Sequence, residues 1–326
     1  MHFSVNPSTM THYAHPFPFD PSYGYTLASL LQIPAPLVPS DFASFWQNCY
    51  QQARKIRPKP KVNFLRQQEG YSVYDISYES TDKVGLKGWL AVPIETLVTR
   101  ALIFGHGYGG CEGPGFRLKP QGAALLFPCL RGLSASSLPT VSTNPSEHVL
   151  TGIESRESYI IKGCVEDVWL SVSALEKLFP QVRKHIGYAG ISFGGGIGAL
   201  ALPWESRIQR AHLNVPTFGN QPLRLQLATV GSGEAIRHYQ QQHPQILEVL
   251  QYFDAASAAH FIHQPMHIAA ALFDPAVAPP GQFTIYNALS EPKSLFVLNA
   301  GHFAYEGQAA QEAALSIELD EFFAAL

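Results

Sequence analysis

Charged side chains are scarce in this 326-residue chain: only 14% of its residues are Asp, Glu, Lys or Arg, whereas 46% are hydrophobic. So low a charge, combined with so high an apolar content, excludes an intrinsically disordered chain. Basic residues are not in excess, since 22 Lys and Arg face 25 Asp and Glu. Because the chain has no electrostatic footprint for a phosphate backbone, we expect no nucleic-acid partner.

Cysteine is also scarce, and long apolar runs are missing. The four cysteines show neither the spacing of metal ligands nor a disulfide framework: Cys49, Cys111, Cys129 and Cys164. Free thiols fit a reducing cytoplasm, although four cysteines could also form two bridges. No apolar run approaches the roughly 20 residues that a membrane span needs, and residues 1–7 show no signal peptide. We therefore expect a cytoplasmic protein without a membrane contact.

Short apolar runs in the middle and C-terminal parts of the chain indicate buried strands. Such runs, apolar on both faces, are typical of a parallel sheet that helices cover on both sides. They lie at 101–104, 123–127, 186–189, 211–215, 268–273 and 294–298. Before them, Tyr71–Glu79 and Gly85–Pro93 predict an antiparallel pair at a sheet edge. The pattern predicts an α/β fold with an antiparallel start.

The chain length lies near the upper limit of one hydrophobic core, so we expect a single domain, 1–326, with insertions. Helical spacing predicts helices that begin at Ser40 or Asp41, cover 165–179 and close the chain at 308–325. Residues 1–40 are rich in proline and aromatic residues and are predicted to wrap over the main body. The polar, Gln-rich segment 217–262 interrupts the strands and is predicted to form a helical cap above the site.

A Gly-x-Ser-x-Gly motif directly follows the run 186–189, as Gly190-Ile-Ser192-Phe-Gly194. A serine at such a strand-to-helix turn has an exposed hydroxyl, and side chains at the glycines would collide with the neighbouring strand or helix. Small residues after the motif favour a helix there. A glycine-rich turn with an incidental serine is the alternative interpretation. We interpret Ser192 as a catalytic nucleophile.

Asp274 and His302 have the chain order and the placement expected for the acid and the base that accompany such a serine. Asp274 follows the run 268–273, and His302 follows the run 294–298. A serine hydroxyl is a weak nucleophile, so His302 is expected to take its proton. Asp274 is expected to orient the imidazole and to stabilise its protonated form.

Other residues of the same types compete for these roles. Asp254 is the competing acid, but it precedes a helical stretch and fits a capping role better. His212 and His267 lie within or at the start of strands, where a histidine of the core is the better interpretation. We therefore keep Asp274 and His302 as the partners of the serine.

Backbone amides near the serine are candidates for an oxyanion hole, which holds the charge that develops on the substrate oxygen. Phe193 follows the nucleophile and supplies one amide. The loop 105–110, with the sequence Gly-His-Gly-Tyr-Gly-Gly, offers a second amide at Tyr108. A tight turn made by these glycines is the alternative interpretation.

Arg131 and Asp167 are predicted to form a pair that shapes the loops around the site. Arg131 follows the run 123–127, where an arginine fits a structural role better than a catalytic one. Asp167 lies at the start of the next predicted helix. A buried pair would fix these loops, whatever its net effect on stability.

These features together resemble the acetyl xylan esterase and cephalosporin C deacetylase family, carbohydrate esterase family seven. The resemblance extends over nearly the whole chain and includes the Gly107-Tyr108 turn, Arg131-Gly132 and the glycine-rich elbow. Its most specific part consists of Tyr252-Phe253-Asp254-Ala255, Phe273-Asp274, Pro279-Pro280 and Gly301-His302.

The resemblance implies an α/β-hydrolase that removes acetyl groups from sugars and, in many members, from cephalosporins, without a metal or another cofactor. It assigns the nucleophile, acid and base to Ser192, Asp274 and His302. It assigns the oxyanion donors to the amides of Tyr108 and Phe193. The implied partner is a small acylated substrate.

The resemblance also implies an assembly. Members of the family are typically cytoplasmic and form hexamers whose active sites face an inner cavity. The segment 133–158 matches the insertion that builds that interface, so a homo-oligomer is implied here as well.

Three residues depart from the family's pattern. Leu133 replaces Gln after Arg-Gly, Phe193 replaces Gln after the serine, and Phe303 replaces Glu after the histidine. These changes remove two amides and one carboxylate from the surroundings of the site. We hypothesise that the acyl or alcohol pocket is more apolar than an acetyl-sugar esterase requires.

The predicted function is that of a serine carboxylesterase that acts on short acyl esters through an acyl-serine intermediate. Two alternatives stay open. An acyltransferase would use the same triad, and a catalytically silent binding protein would use the same fold.

Overall fold

The computed structural model describes residues 13–326. Residues 1–12 lie outside the described residues; they include the start of the segment 1–40, predicted to wrap over the main body, and residues 1–7, predicted to contain no signal peptide. Between residue 13 and residue 326, no helix combines the length and the apolar character needed to cross a membrane.

A nine-stranded sheet forms the centre of the fold. In chain order, β1 to β9 are Lys61–Gln68, Tyr71–Glu79, Gly85–Pro93, Arg100–Gly105, Ala123–Cys129, Ile186–Ile191, Ile208–Asn214, Met266–Ala271 and Lys293–Leu298. Their order across the sheet is β1-β2-β3-β5-β4-β6-β7-β8-β9. The first three pairings are antiparallel, and the pairings from β5·β4 onward are parallel. The predicted α/β fold with an antiparallel start is confirmed.

The edge of the sheet lies one strand further out than the sequence predicts. β2 and β3 pair as expected, with Tyr71 opposite Pro93 and Glu79 opposite Gly85. The edge strand is β1, so the prediction that this pair forms the edge is wrong. The side chains of β1 are nearly all exposed, and Phe64 is 58% exposed. Because neither face of β1 is buried, its sequence has no apolar alternation that could reveal it.

Helices cover both faces of the sheet. In chain order, α1 to α11 are Leu27–Leu30, Phe42–Ala53, Pro145–His148, Ile160–Leu178, Phe193–Ala201, Gln221–Arg224, Ser232–Gln242, Leu247–Leu250, Ala255–Ala259, Pro279–Ala288 and Gln308–Ala324. α4 and α5 pack with Ala101 and Ile103 of β4, whereas α11 packs with Leu102 on the opposite face. This cover on both sides explains the apolar runs of the middle strands.

The predicted helices are present, with two local differences. α11 has nearly the predicted bounds, but α4 begins at Ile160 rather than at residue 165, because its first turns are also buried and the apolar stripe does not mark its start. Asp41 is the N-cap residue of α2, yet its side chain makes no capping bond. Its carboxylate instead lies 2.8 Å from Arg156 Nη1.

Two long segments lie beside the C-terminal ends of the parallel strands. The segment 217–262 contains the short helices α6 to α9, and the segment 133–158 contains α3. Val230, Gly231 and Pro145 from these segments line the same cavity as Ser192. The role of 133–158 in an oligomer interface stays a prediction.

Candidate active site

Ser192 lies at a sharp turn between β6 and α5. Its backbone has φ 53° and ψ −111°, a conformation that is strained for a residue with a side chain. A Cβ atom at Gly194 would lie 2.3 Å from the backbone of Gly105, and one at Gly190 would lie 2.5 Å from the carbonyl oxygen of Gly194. Because only glycine fits at these two positions, the strand and the helix approach closely enough to present the serine hydroxyl.

The structure brings Ser192, Asp274 and His302 together at the C-terminal ends of the parallel strands. They follow β6, β8 and β9, respectively. His302 Nε2 lies 2.9 Å from Ser192 Oγ, and His302 Nδ1 lies 2.8 Å from Asp274 Oδ2. Because a carboxylate only accepts hydrogen bonds, Nδ1 carries a proton toward Asp274, and Nε2 is available for the serine proton.

A set of buried hydrogen bonds holds Asp274. Its Oδ1 accepts from the backbone amides of Ala276 and Val277 at 2.9 Å each, and its Oδ2 accepts from Gln282 Nε2 at 3.0 Å. Hydrogen bonds to a carboxylate stabilise its charged form. Gln282 is a contributor that sequence reasoning missed, because only the packing of α10 against β8 places it beside Asp274.

Two opposing effects set the pKa of His302. Burial lowers this pKa, whereas the charge of Asp274 and the hydrogen bond to it raise it, and the outcome lies above the ordinary value for histidine. A higher pKa makes the imidazole a stronger base toward the Ser192 hydroxyl.

The competing residues have structural roles elsewhere. Asp254 caps α9 by accepting from the amides of Ala256 and Ser257 at 2.9 Å each. His212 and His267 are buried in β7 and β8, and their Nδ1 atoms lie 3.0 Å apart. None of the three is bonded to the serine or to the histidine of the site within the described chain.

The amides predicted to form an oxyanion hole are those of Tyr108, in the loop 105–110, and of Phe193, next to the serine in the chain. Tyr108 and Phe193 line the same cavity as Ser192. Within residues 13–326, neither amide donates a hydrogen bond. Phe193 is the first residue of α5, so its amide carries the partial positive charge of a helix N-terminus. Both amides are therefore available to a substrate oxygen.

Two histidines that sequence reasoning missed fix the loop carrying Tyr108. His148 Nδ1 accepts from Tyr108 Oη at 3.2 Å, and its Nε2 donates to the carbonyl of Arg131 at 3.0 Å. His106 accepts from the amide of Leu130 at 3.0 Å through Nε2. Burial lowers the pKa of both histidines, which keeps them neutral and able to donate and accept at once.

Arg131 and Asp167 are in contact behind this loop. Arg131 Nη2 lies 2.7 Å from Asp167 Oδ1, and both side chains are almost fully buried. Arg131 also donates to the hydroxyls of Ser80 and Thr81. Neither member of the pair lines the cavity beside the serine, so their contacts are with the scaffold.

A cavity of about 370 Å³ lies beside Ser192. Its walls are mainly small or apolar, and they include Gly107, Gly109, Pro145, Ile191, Thr217, Val230, Gly231, Ser232, Ala276 and Val277. In the described part of the chain, no group of three or more His, Cys, Asp or Glu is placed to hold a metal ion. The arrangement is suited to a small, largely apolar group attached to a polar reacting centre.

The three residues that depart from the family's pattern make apolar contacts. Leu133 is 2% exposed and belongs to the core. The ring of Phe193 stacks on that of Tyr108 with 4.1 Å between centroids. Phe303 lies 5.0 Å from the ring of Phe273. Each replaced polar group is thus exchanged for packing.

Comparisons with known proteins agree with this geometry. The family model of acetyl xylan esterase (AXE1) matches residues 32–318. The fold is similar to that of the acetyl xylan esterase from Paenibacillus sp. R4, at 23% identity and a TM-score of 0.77, covering 91% of this chain and 99% of that one. It is also similar to acetyl xylan esterase 1 from Thermoanaerobacterium sp. JW/SL YS485, at 19% identity and a TM-score of 0.77, covering 92% and 99%. No curated protein sequence matches significantly. The chain belongs to the acetyl xylan esterase family and is a carboxylic ester hydrolase with an α/β-hydrolase fold.

Proposed function

We propose that Ser192, His302 and Asp274 are the catalytic triad with which this esterase removes acetyl or other short acyl groups from sugar or other small-molecule esters. The observation that carries the proposal is the single imidazole, 2.9 Å from the serine Oγ and 2.8 Å from the buried carboxylate. This arrangement supplies a base to the hydroxyl and a fixed tautomer to the base.

In the first half of the reaction, Ser192 Oγ attacks the ester carbonyl carbon while its proton passes to His302 Nε2. The amides of Tyr108 and Phe193 donate to the carbonyl oxygen as it becomes negative. The carbon–oxygen bond to the alcohol then breaks, and His302 returns its proton to the leaving oxygen. Asp274 stays ionised throughout and stabilises the imidazolium.

In the second half, water releases the acyl group from Ser192. His302 Nε2 takes a proton from the water as its oxygen attacks the acyl carbon, and the same two amides hold the oxyanion. The bond between that carbon and Ser192 Oγ breaks, and the proton returns to the serine. The products are a carboxylic acid and an alcohol, and the family match favours this hydrolysis over acyl transfer or a silent binding role.

The size and the lining of the cavity favour substrates whose acyl group is longer than acetyl. Its volume of about 370 Å³ and its small, apolar walls leave space beyond the reacting carbon. Phe193 occupies a position where the family has an amide side chain, and its fully buried ring, stacked on Tyr108, brings no polar group to the site. A series of p-nitrophenyl esters from acetate to hexanoate measures this directly: a steep preference for acetate contradicts the apolar-pocket hypothesis.

Assembly, compartment and a wider substrate range form part of the proposal. The side chain of His302 is 29% exposed. Neighbouring subunits of a homo-oligomer such as a hexamer, with 133–158 at the interface, would shield it from solvent. All four cysteines are free, which supports the cytoplasm. Deacetylation of cephalosporin C is a further activity that we expect from the family resemblance.

Hydrolysis of p-nitrophenyl acetate by the wild type and by Ser192→Ala tests the proposed function. We expect the variant to lose about 10⁶-fold in kcat, because removal of the nucleophile disables the whole triad. Gas or liquid chromatography of products formed with added alcohols distinguishes acid from transferred ester. A well-folded wild type without turnover, and without labelling by a fluorophosphonate probe, would contradict the proposal.

A further inference from the structure

A segment at the start of the described chain, residues 13–23, carries aromatic rings at positions 13, 15, 17, 19 and 23; we call it the N-terminal arm. From residue 13 to residue 20, half-buried rings alternate with exposed residues, and a turn follows. The rings of Phe17 and Phe19 are stacked 5.8 Å apart, and Phe19 is stacked on Tyr23 at 6.0 Å. The arm lies outside residues 32–318, which the family model matches.

The arm packs on the residues next to His302 and Asp274. Phe303 follows His302, and its ring lies 5.6 Å from Tyr13 and 6.3 Å from Phe17. Phe273 precedes Asp274, and its ring lies 5.1 Å from Tyr13 in an edge-to-face contact. We call the loop after β8, which carries Asp274, the acid loop, and the loop after β9, which carries His302, the base loop. Because Phe273 and Phe303 also contact each other, Tyr13 completes an aromatic cluster that joins these two loops.

Two hydrogen bonds tie the arm to the surroundings of the site. The backbone amide of Asp274 donates to the carbonyl of Pro21 at 3.1 Å. The hydroxyl of Tyr23 donates to the carbonyl of Ala228 at 2.6 Å. Ala228 lies just before Val230, which lines the cavity beside the serine. The arm thus contacts the acid loop, the base loop and the segment 217–262.

We propose that the N-terminal arm positions the triad, with Tyr13 and Phe17 as positioning residues that act through Phe303 and Phe273. The proposal rests on the proposed function of Ser192, His302 and Asp274. Phe303 stands where the family has a glutamate, so its ring contact with the arm takes the place of a polar side chain.

The arm acts on the rate of the chemical step rather than on substrate binding. None of its residues lines the cavity beside Ser192, so loss of an arm ring leaves the binding surface intact. It removes packing from the loops that hold the imidazole and the carboxylate. Misplacement of reacting groups by about 1 Å can cost on the order of 10²-fold in rate.

The test compares Tyr13→Ala and Phe17→Ala with Phe19→Ala in the full chain, using p-nitrophenyl acetate. Phe19 is the matched control, since its described ring contacts are with the arm alone. We expect kcat to fall about tenfold in the first two variants, KM to change less than twofold, and Phe19→Ala to retain most of its kcat. Phe17→Tyr keeps the aromatic ring, so its kcat should stay close to that of the wild type, unlike the kcat of Phe17→Ala.

A second readout separates positioning from general stability. Asp274 raises the pKa of His302, so a loosened pair should move the acidic limb of kcat/KM toward lower pH in Tyr13→Ala and Phe17→Ala. Equal melting temperatures and unchanged kcat and pH profiles in all variants overturn the proposal. So does an equal loss of kcat in Phe19→Ala and Phe17→Ala.

If an arm variant fails to fold, Phe303→Leu takes its place, since it keeps an apolar side chain and removes only the ring. The same fall in kcat supports the proposal, and wild-type kcat overturns it. Ser192→Ala reports separately on the proposed function. Wild-type turnover that survives every arm substitution overturns the arm proposal alone, whereas a wild type without turnover overturns both.

Discussion

At the residue scale, the proposed mechanism depends on the imidazole of His302, whose neighbours set its tautomer and its pKa. Asp274 contributes one charge and one hydrogen bond at 2.8 Å to Nδ1 of His302. That contact selects the tautomer with a free Nε2 and raises the pKa of His302 against the effect of burial. The carboxylate is itself held by two backbone amides and Gln282. Small displacements of Asp274 should therefore alter both the rate and its pH dependence.

Asp274→Asn should lower kcat on p-nitrophenyl acetate by about 10⁴-fold, because the amide no longer holds the correct tautomer. The base works only when neutral, so activity is lost as pH falls through the pKa of His302. Without the carboxylate that pKa falls, and the acidic limb of kcat/KM should move to lower pH. Asp254→Asn, at another buried carboxylate that makes no bond to the triad, is the control. A limb that stays in place in Asp274→Asn would contradict this account.

At the scale of elements, α10 links the sheet to the acid loop through Gln282. Its Oε1 accepts from the amide of Ala271 in β8 at 2.8 Å, while its Nε2 donates to Asp274 and to the carbonyl of Val277. The side chain is fully buried. Gln282 of α10 thus accepts a hydrogen bond from the last amide of β8 and orients the carboxylate of Asp274, which follows that strand.

Gln282→Leu should destabilise the fold and slow the enzyme together. The substitution leaves the buried amide of Ala271 without its partner, which costs about 1–3 kcal/mol of unfolding free energy. Asp274 loses one donor, and kcat should fall about tenfold. Urea unfolding and p-nitrophenyl acetate kinetics measure the two effects. Gln264→Leu removes comparable bonds to backbone carbonyls away from the site and should affect stability only.

At the scale of the whole molecule, buried histidines make the fold sensitive to acid. Burial lowers the pKa of His106, His148, His212 and His267. His212 and His267 are in contact across the neighbouring strands β7 and β8, and His267 Nε2 lies 3.4 Å from Glu318 of α11. Protonation of this pair would place charge between the sheet and its covering helix.

The free energy of unfolding should fall as pH drops below the ordinary histidine pKa of about 6.5. There the unfolded chain binds protons that the folded chain, with its lowered pKa values, does not bind. The stability is fully present above that pH and is lost at up to about 1.4 kcal/mol per pH unit for each buried histidine. Urea unfolding at pH 7.5 and 5.5 measures the loss.

His212→Gln isolates the contribution of the histidine pair. The difference in unfolding free energy between the two pH values should be smaller in this variant than in the wild type. His263→Gln, at an exposed histidine, should leave the difference unchanged. An equal pH dependence in all three proteins would show that the pair does not control acid sensitivity.

The sequence by itself determined the features that depend on neighbours along the chain. The apolar runs located six strands, and the patterns of 71–79 and 85–93 located β2 and β3, since burial constrains every residue of a strand or every second one. The Gly190-Ile-Ser192-Phe-Gly194 elbow could be recognised from the sequence because it requires glycine at both ends. A Cβ atom at either glycine would lie only 2.3 to 2.5 Å from a backbone atom nearby. The order of Ser192, Asp274 and His302, each after a predicted strand, followed from the parallel arrangement of those strands.

Only the tertiary structure decided which distant groups meet. β1 has no buried face and leaves no periodic signal. Gln282, His106 and His148 are single polar residues whose partners lie on other elements, and nothing near them in the chain shows those partners. Arm residues such as Tyr13 meet the acid and base loops because the chain folds back over about 260 residues or more. Hydrogen bonds and ring contacts act over a few ångströms in space, so a pattern along the chain can reveal them only when sequence neighbours are also spatial neighbours.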